Sequence, residues 1–179
     1  MLSSVMKNKK GVSVVIGYIL LMSVSIVMSI VVYQWLKTYV PKEALNCPDG
    51  TSLFIKNIVC EGGTLTLTIK NNGRFGIAGY FIHASTSSNP DAVATIDLSS
   101  NYMGDEDNID GSSIRFLISA GEDNSLIPEI TQEHKFDVST ISGTLSKIEL
   151  IPIRIQTSDN MRRVVSCSDA KIETTVTCN

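Results

Sequence analysis

Lys7-Asn-Lys-Lys-Gly11 leads straight into Val12-Ser-Val-Val-Ile-Gly17-Tyr-Ile-Leu20, and the chain stays apolar to Leu36. No Asp, Glu, Lys or Arg stands between Lys10 and Lys37. About 20 apolar helical residues cross a hydrocarbon core, so the run from Val12 to Leu36 is long enough to span one. Tyr33, Trp35 and Tyr39 gather at its far end, with Lys37 and Lys42. Rings with polar tips favour the headgroup level, and basic residues stay on the cytoplasmic side. Lys7, Lys9 and Lys10 therefore place the N-terminus inside and everything after Pro41 outside.

Two other readings of this stretch compete. A cleaved secretory signal has a shorter apolar core and small residues just behind it, whereas Tyr33-Gln-Trp-Leu-Lys-Thr-Tyr39 is bulky. A plain uncleaved anchor fits the length equally well. Two details go beyond an anchor. Lys-Lys-Gly stands before the apolar run, so a cut there would leave the hydrophobic helix on the mature protein. Small residues at Ser13, Gly17, Ser25 and Ser29 recur on a four-residue spacing, with Leu21 in the gap. That spacing forms a groove in which a second helix can approach closely.

The Lys9-Lys10-Gly11 leader followed by Val-Ser-x-Val-Ile-Gly-x-Ile-Leu resembles the N-terminus of archaeal type IV pilins and pilin-like proteins, relatives of archaellins. The resemblance implies that a prepilin peptidase cuts between Gly11 and Val12. It also implies a long helix over 12–40 that holds the subunit in the membrane and later packs with its copies in a filament core. The partners so implied are other copies of the chain, the peptidase, an assembly ATPase and its membrane platform. Val14 stands where many members have proline, and Ile16 where bacterial pilins have glutamate. The likeness covers about 30 residues and does not reach the rest of the chain.

A helix over 12–40 would be about 43 Å long at 1.5 Å per residue, with Pro41 as a natural stop. Residues 41–51 read as a linker and 52–179 as the outer domain. There the pattern turns to period two: Leu65, Leu67 and Ile69 alternate with Thr64, Thr66 and Thr68. Glu61-Gly62-Gly63 predicts a hairpin with the Leu53–Cys60 run. Further strands are read at Tyr80–His83, Val93–Leu98, Ile114–Ile118, Lys147–Gln156, Arg162–Cys167 and Ile172–Cys178. The parity change after Leu150 predicts a bulge there, and Pro152 an edge position. The fold class expected is α+β, a long hydrophobic helix followed by an all-β immunoglobulin-like sandwich.

Four cysteines, at 47, 60, 167 and 178, all follow the apolar run. An even count behind a membrane segment suggests two disulfides and an oxidising compartment, against the alternative of buried free thiols. If the first and last strands pair antiparallel, partners share an index sum, which favours Cys47–Cys178 with Cys60–Cys167. The competing pairing, Cys47–Cys60 with Cys167–Cys178, closes two small loops.

No catalytic constellation emerges, and no cofactor is expected. His83 and His134 read as ordinary surface or edge residues. The loop Gly104–Gly111 carries Asp105, Glu106, Asp107 and Asp110, a weak calcium candidate through Asp105, Asp107 and Asp110. Ile109 and the missing closing Glu break the usual calcium-loop pattern. A formal charge of −3 over 179 residues, with no basic stripe beyond the N-terminus, argues against nucleic acid. The leading expectation is a structural subunit of an extracellular filament. The alternative is a single-span surface protein or minor pilin whose sandwich binds a partner or mediates adhesion.

Overall fold

The computed structural model describes residues 9–39, 45–87, 89, 91–117, 123–158 and 160–178. The chain divides into two compact units, Met1–Ala44 and Leu45–Asn179. The first holds one helix, α1, Lys9–Tyr39. It starts before Val12 and ends short of the expected Val40, which lies outside the described residues. No proline interrupts it, and every described side chain from Val14 to Thr38 is exposed.

The second unit is antiparallel β structure. Among the described residues its strands are β1 (Leu53–Glu61), β2 (Thr64–Asn71), β3 (Gly79–Ser85), β4 (Ile96–Asp97), β5 (Ile109–Asp110), β6 (Ser113–Arg115), β7 (Thr131–Asp137), β8 (Leu145–Ser158), β9 (Met161–Ser166) and β10 (Ile172–Cys178). The smaller sheet has the order β1-β2-β7. The larger runs β10-β8-β3-β6-β5, with β4 on β3 and β9 on β8. The strands curl as a half-barrel around the main core.

The β1–β2 hairpin follows from its turn residues. Gly62 and Gly63 both have positive φ, 57° and 77°, the combination that a two-residue type I′ turn requires. Leu65, Leu67 and Ile69 of β2 then face inward beside Phe136 of β7. Across the core they meet Tyr80 and Ile82 of β3 with Ile148 and Leu150 of β8. A bulge does occur, but in β1, between Ile55 and Asn57. It shifts the inward row from Leu53 and Ile55 to Ile58 and Cys60.

The expected bulge near Leu150 is absent. β8 pairs with β3 in unbroken register from Lys147 to Ile153. Its parity change reflects burial on both faces instead. Ile148 and Leu150 enter the main core, while Ile153 and Ile155 form a second cluster with Ala78 and Phe81. Pro152 is also not on an edge, since β8 lies between β3 and the β9–β10 side. The Cys167 N–H donates to the Pro152 carbonyl at 2.8 Å. A residue's N and O point to the same side of a strand, so the missing Pro152 donor faces the break between β9 and β10. No ladder bond is lost there.

The strand expected at Val93–Leu98 shrinks to Ile96–Asp97, and that at Ile114–Ile118 to Ser113–Arg115; Ile118 lies outside the described residues. Strand β7 was not anticipated. It carries His134 into the core, 2% exposed, and this overturns its reading as a surface residue.

Two disulfides form, but neither favoured partner holds. Cys47 bonds Cys167 and Cys60 bonds Cys178, in place of Cys47–Cys178 and Cys60–Cys167. The index-sum argument required β1 and β10 to share an antiparallel ladder. They belong to different sheets and lie beside each other at the seam, running the same way. Partners then keep a near-constant difference in sequence, here 120 and 118.

Candidate functional site

Among the described residues, helix α1 carries the longest run of exposed apolar side chains. Val14–Thr38 is long and apolar enough to cross a membrane. Unlike the amphipathic helix of a soluble core, it presents apolar side chains on every face. Such a helix requires lipid or other helices around it. With two disulfides in the β-domain, it fits a protein of an oxidising, extracytoplasmic compartment.

The helix surface is shaped. Ser25, Ile26, Ser29, Ile30 and Tyr33 line a shallow, open notch on the helix surface. Ser25 donates its hydroxyl to the Leu21 carbonyl at 2.9 Å, and Ser29 to the Ser25 carbonyl at 2.8 Å. Each hydroxyl is thus satisfied within its own helix and presents little more than a small side chain to a neighbour. Of the other residues on this stripe, Gly17 has open space where a Cβ would stand. The Ser13 side chain lies outside the described residues. So do the side chains of Lys9, Lys10 and Val12; with Gly11, their backbone forms the start of α1. Near the other end, Lys37 Nζ lies 5.0 Å from the centre of the Tyr33 ring, a cation–π contact.

The titratable groups of the β-domain occupy separate places. Tyr80 Oη and His134 Nδ1 lie 2.5 Å apart in the core, enclosed by the rings of Phe116 and Tyr102. Burial lowers the His134 pKa to about 4. Burial, with Tyr102 beside it, raises that of Tyr80. Both are neutral at pH 7. His83 is half-buried on the opposite face of the larger sheet, across from Glu149 in β8 and Asp97 in β4. Beside it runs a ladder of ion pairs. Lys171 reaches Glu149 at 3.2 Å and Glu173 at 2.7 Å, and Lys147 reaches Glu173 at 3.7 Å.

The acidic loop does not converge as the calcium reading required. Asp105 turns back to accept from the Asp107 N–H at 3.2 Å, and Asp110 pairs with Arg115 at 3.1 Å. Among the described residues no three His, Cys, Asp or Glu side chains are placed to share a metal ion. A depression of about 550 Å³ lies over the outer face of the smaller sheet, lined by Phe54, Lys56, Lys70, Asn72, Glu129 and Thr131. There Lys70 pairs with Glu129 at 2.5 Å, and Glu129 holds a positive φ of 70°.

The buried Tyr80–His134 pair is what the sequence reading missed. Its signal was the alternation of Gln132, His134, Phe136 and Val138 with the exposed Thr131, Glu133 and Lys135. No protein family, curated protein or solved structure matches this chain.

Proposed function

We propose that the chain is a structural, non-enzymatic subunit of an extracellular filament of the archaeal type IV pilus kind, built through α1. The observation that carries this is a helix exposed and apolar on every face from Val14 to Thr38, notched at Ser25 and Ser29. In the membrane, lipid covers it, with the N-terminus in the cytoplasm. After a prepilin peptidase cuts between Gly11 and Val12, an assembly ATPase and platform draw it out, and copies of the helix cover one another. Burial of apolar area contributes roughly 25 cal/mol per Å² against water, so many neighbouring copies give strong cohesion. The β-domains then coat the filament.

For the β-domain we propose the immunoglobulin-like topology. The order β1-β2-β7 corresponds to strands A-B-E of such a sandwich, and β10-β8-β3-β6 to G-F-C-C′. β9 and β10 line the same side of β8 end to end and serve as one interrupted last strand.

The depression over Phe54, Lys70 and Glu129 favours a second reading, a single-span surface protein that binds a partner there. N-terminal sequencing and intact mass of the native protein separate the two. A chain that starts at Val12 and is recovered in sheared filaments supports the filament subunit; one that keeps Met1 in the membrane fraction supports the surface protein. Gly11→Leu is expected to leave the leader in place, and normal trimming of that variant would sink the peptidase step.

A further inference from the structure

β1 is the first strand reached from the tether, and it is an edge strand, as is β10. An edge strand held only by its ladder peels when its end is pulled. Here neither end of β1 is free. Cys47, ahead of it, is bonded to Cys167, ahead of β10, and Cys60, inside its last turn of ladder, is bonded to Cys178 at the end of β10. The Cα atoms of the two pairs stand 5.2 and 5.4 Å apart.

The two bonds make a closed covalent ring. It runs from Cys47 along β1 to Cys60, across to Cys178, back along β10 to Cys167, and across to Cys47. Residues 61–166, which contribute most of the core, hang from this ring as one long loop. Cys167 also ties the ring to the middle of the larger sheet, through its N–H bond to the Pro152 carbonyl. The entering chain is further held by Gln156, whose Nε2 donates to the Asn46 carbonyl at 3.1 Å.

We infer that this ring is the tension-bearing element of the β-domain: force entering from the tether passes through Cys47 into both sheets at once and bypasses residues 61–166, which build most of the core. The domain is then inextensible from its tether while the bonds stand, and becomes extensible when they are reduced. As a load path for a filament this rests on the proposed function; the ring itself does not.

Single-molecule pulling tests it on the full chain in detergent, with an azide-bearing side chain at position 46 and a tag fused behind Asn179. Along the ring, position 46 to Cys47 is one step and Cys167 to Asn179 is twelve, so extension stops at about 50 Å including the bridge, at ~3.6 Å per residue. With reductant added to the same tethered molecules, about 133 steps come into play and extension rises to roughly 480 Å, close to tenfold. A rise of several hundred ångströms without reductant overturns the inference; pairing within each of the two short segments, for example, would release about 390 Å. Non-reducing peptide mapping provides the second measurement, and any pairing other than Cys47–Cys167 with Cys60–Cys178 also overturns it. A short trace from a chain that never forms filaments would uphold the ring and refute the filament.

Discussion

Tyr80 of the larger sheet and His134 of the smaller one meet at 2.5 Å across the core, phenol oxygen to imidazole Nδ1. This is a side-chain hydrogen bond that joins the two sheets in the interior, where each group would otherwise lie unpaired. Burial of His134 also gives the domain a definite response to acid. The folded state holds the His134 pKa at about 4, below its ordinary 6.5. Between those values the unfolded chain binds more protons, so stability is full above pH 6.5 and falls as pH drops toward 4. The whole swing is about 3 kcal/mol. Asp137 and Glu173, whose carboxyls are held low by Ser139 and Lys171, act in the same direction but below about pH 4.5. Urea midpoints taken between pH 5 and 7 therefore isolate His134. They should decline with acid in the native chain and stay level in His134→Leu; equal slopes in the two would refute this assignment.

Removing one partner of the pair should cost more than its atoms suggest. Tyr80→Phe leaves His134 Nδ1 buried without its phenol, a loss of about 1–3 kcal/mol. His134→Leu leaves the Tyr80 hydroxyl in the same position. In a double-mutant cycle the combined variant should recover part of both losses, with a coupling of about 0.5–3 kcal/mol. Strictly additive losses by chemical denaturation would mean that the bond contributes nothing of its own.

Two glycines in the domain should respond very differently to alanine. Gly79 lies where β3 meets β6, and a Cβ there would fall 3.0 Å from the Arg115 Cα and closer still to the Ile114 carbonyl oxygen. Both neighbours are backbone, so Gly79→Ala must part the strands and is expected to cost about 3 kcal/mol. Gly62 sits at the hairpin tip with open space around it, and its need is only for a φ of 57°. Gly62→Ala is expected to cost about 1–2 kcal/mol. Thermal midpoints of the two variants in one buffer rank them, and a Gly79→Ala chain as stable as Gly62→Ala would contradict the close approach.

These contrasts also mark what could be read from the chain beforehand. Helix α1 was legible because an uncharged run of that length has few physical outcomes. The β1–β2 hairpin was legible because Gly62 and Gly63 separate a clean alternation of Leu and Thr. β8 misled because one buried face per strand was assumed, whereas Ile148 and Ile153 are buried on opposite faces. β7 escaped notice because its inward row holds Gln132 and His134, residues that read as solvent-facing until the Tyr80 hydroxyl is known to wait inside. The disulfide partners depended on which strands lie side by side across a seam between sheets. No ladder register connects β1 with β10, so no index rule within one sheet could find them.

The notch on α1 leads to a prediction about the filament assembly proposed above, and it turns on size rather than polarity. Ser25 and Ser29 have already given their hydroxyl protons to the Leu21 and Ser25 carbonyls. Neither proton is left to bond across to a neighbouring helix, so what the serines offer a neighbour is the absence of bulk beside Ile26, Ile30 and Tyr33. Close helix approach depends on that absence. Ser25→Ala with Ser29→Ala should therefore leave filament yield nearly unchanged in sheared preparations. Ser25→Leu with Ser29→Leu keeps the segment apolar enough to insert and lies outside the β-domain, so membrane fractionation and disulfide mapping should match the native chain. Filaments from that variant should fall at least tenfold. If alanine abolishes assembly as fully as leucine does, the serines act through hydrogen bonds between helices, and the size argument fails.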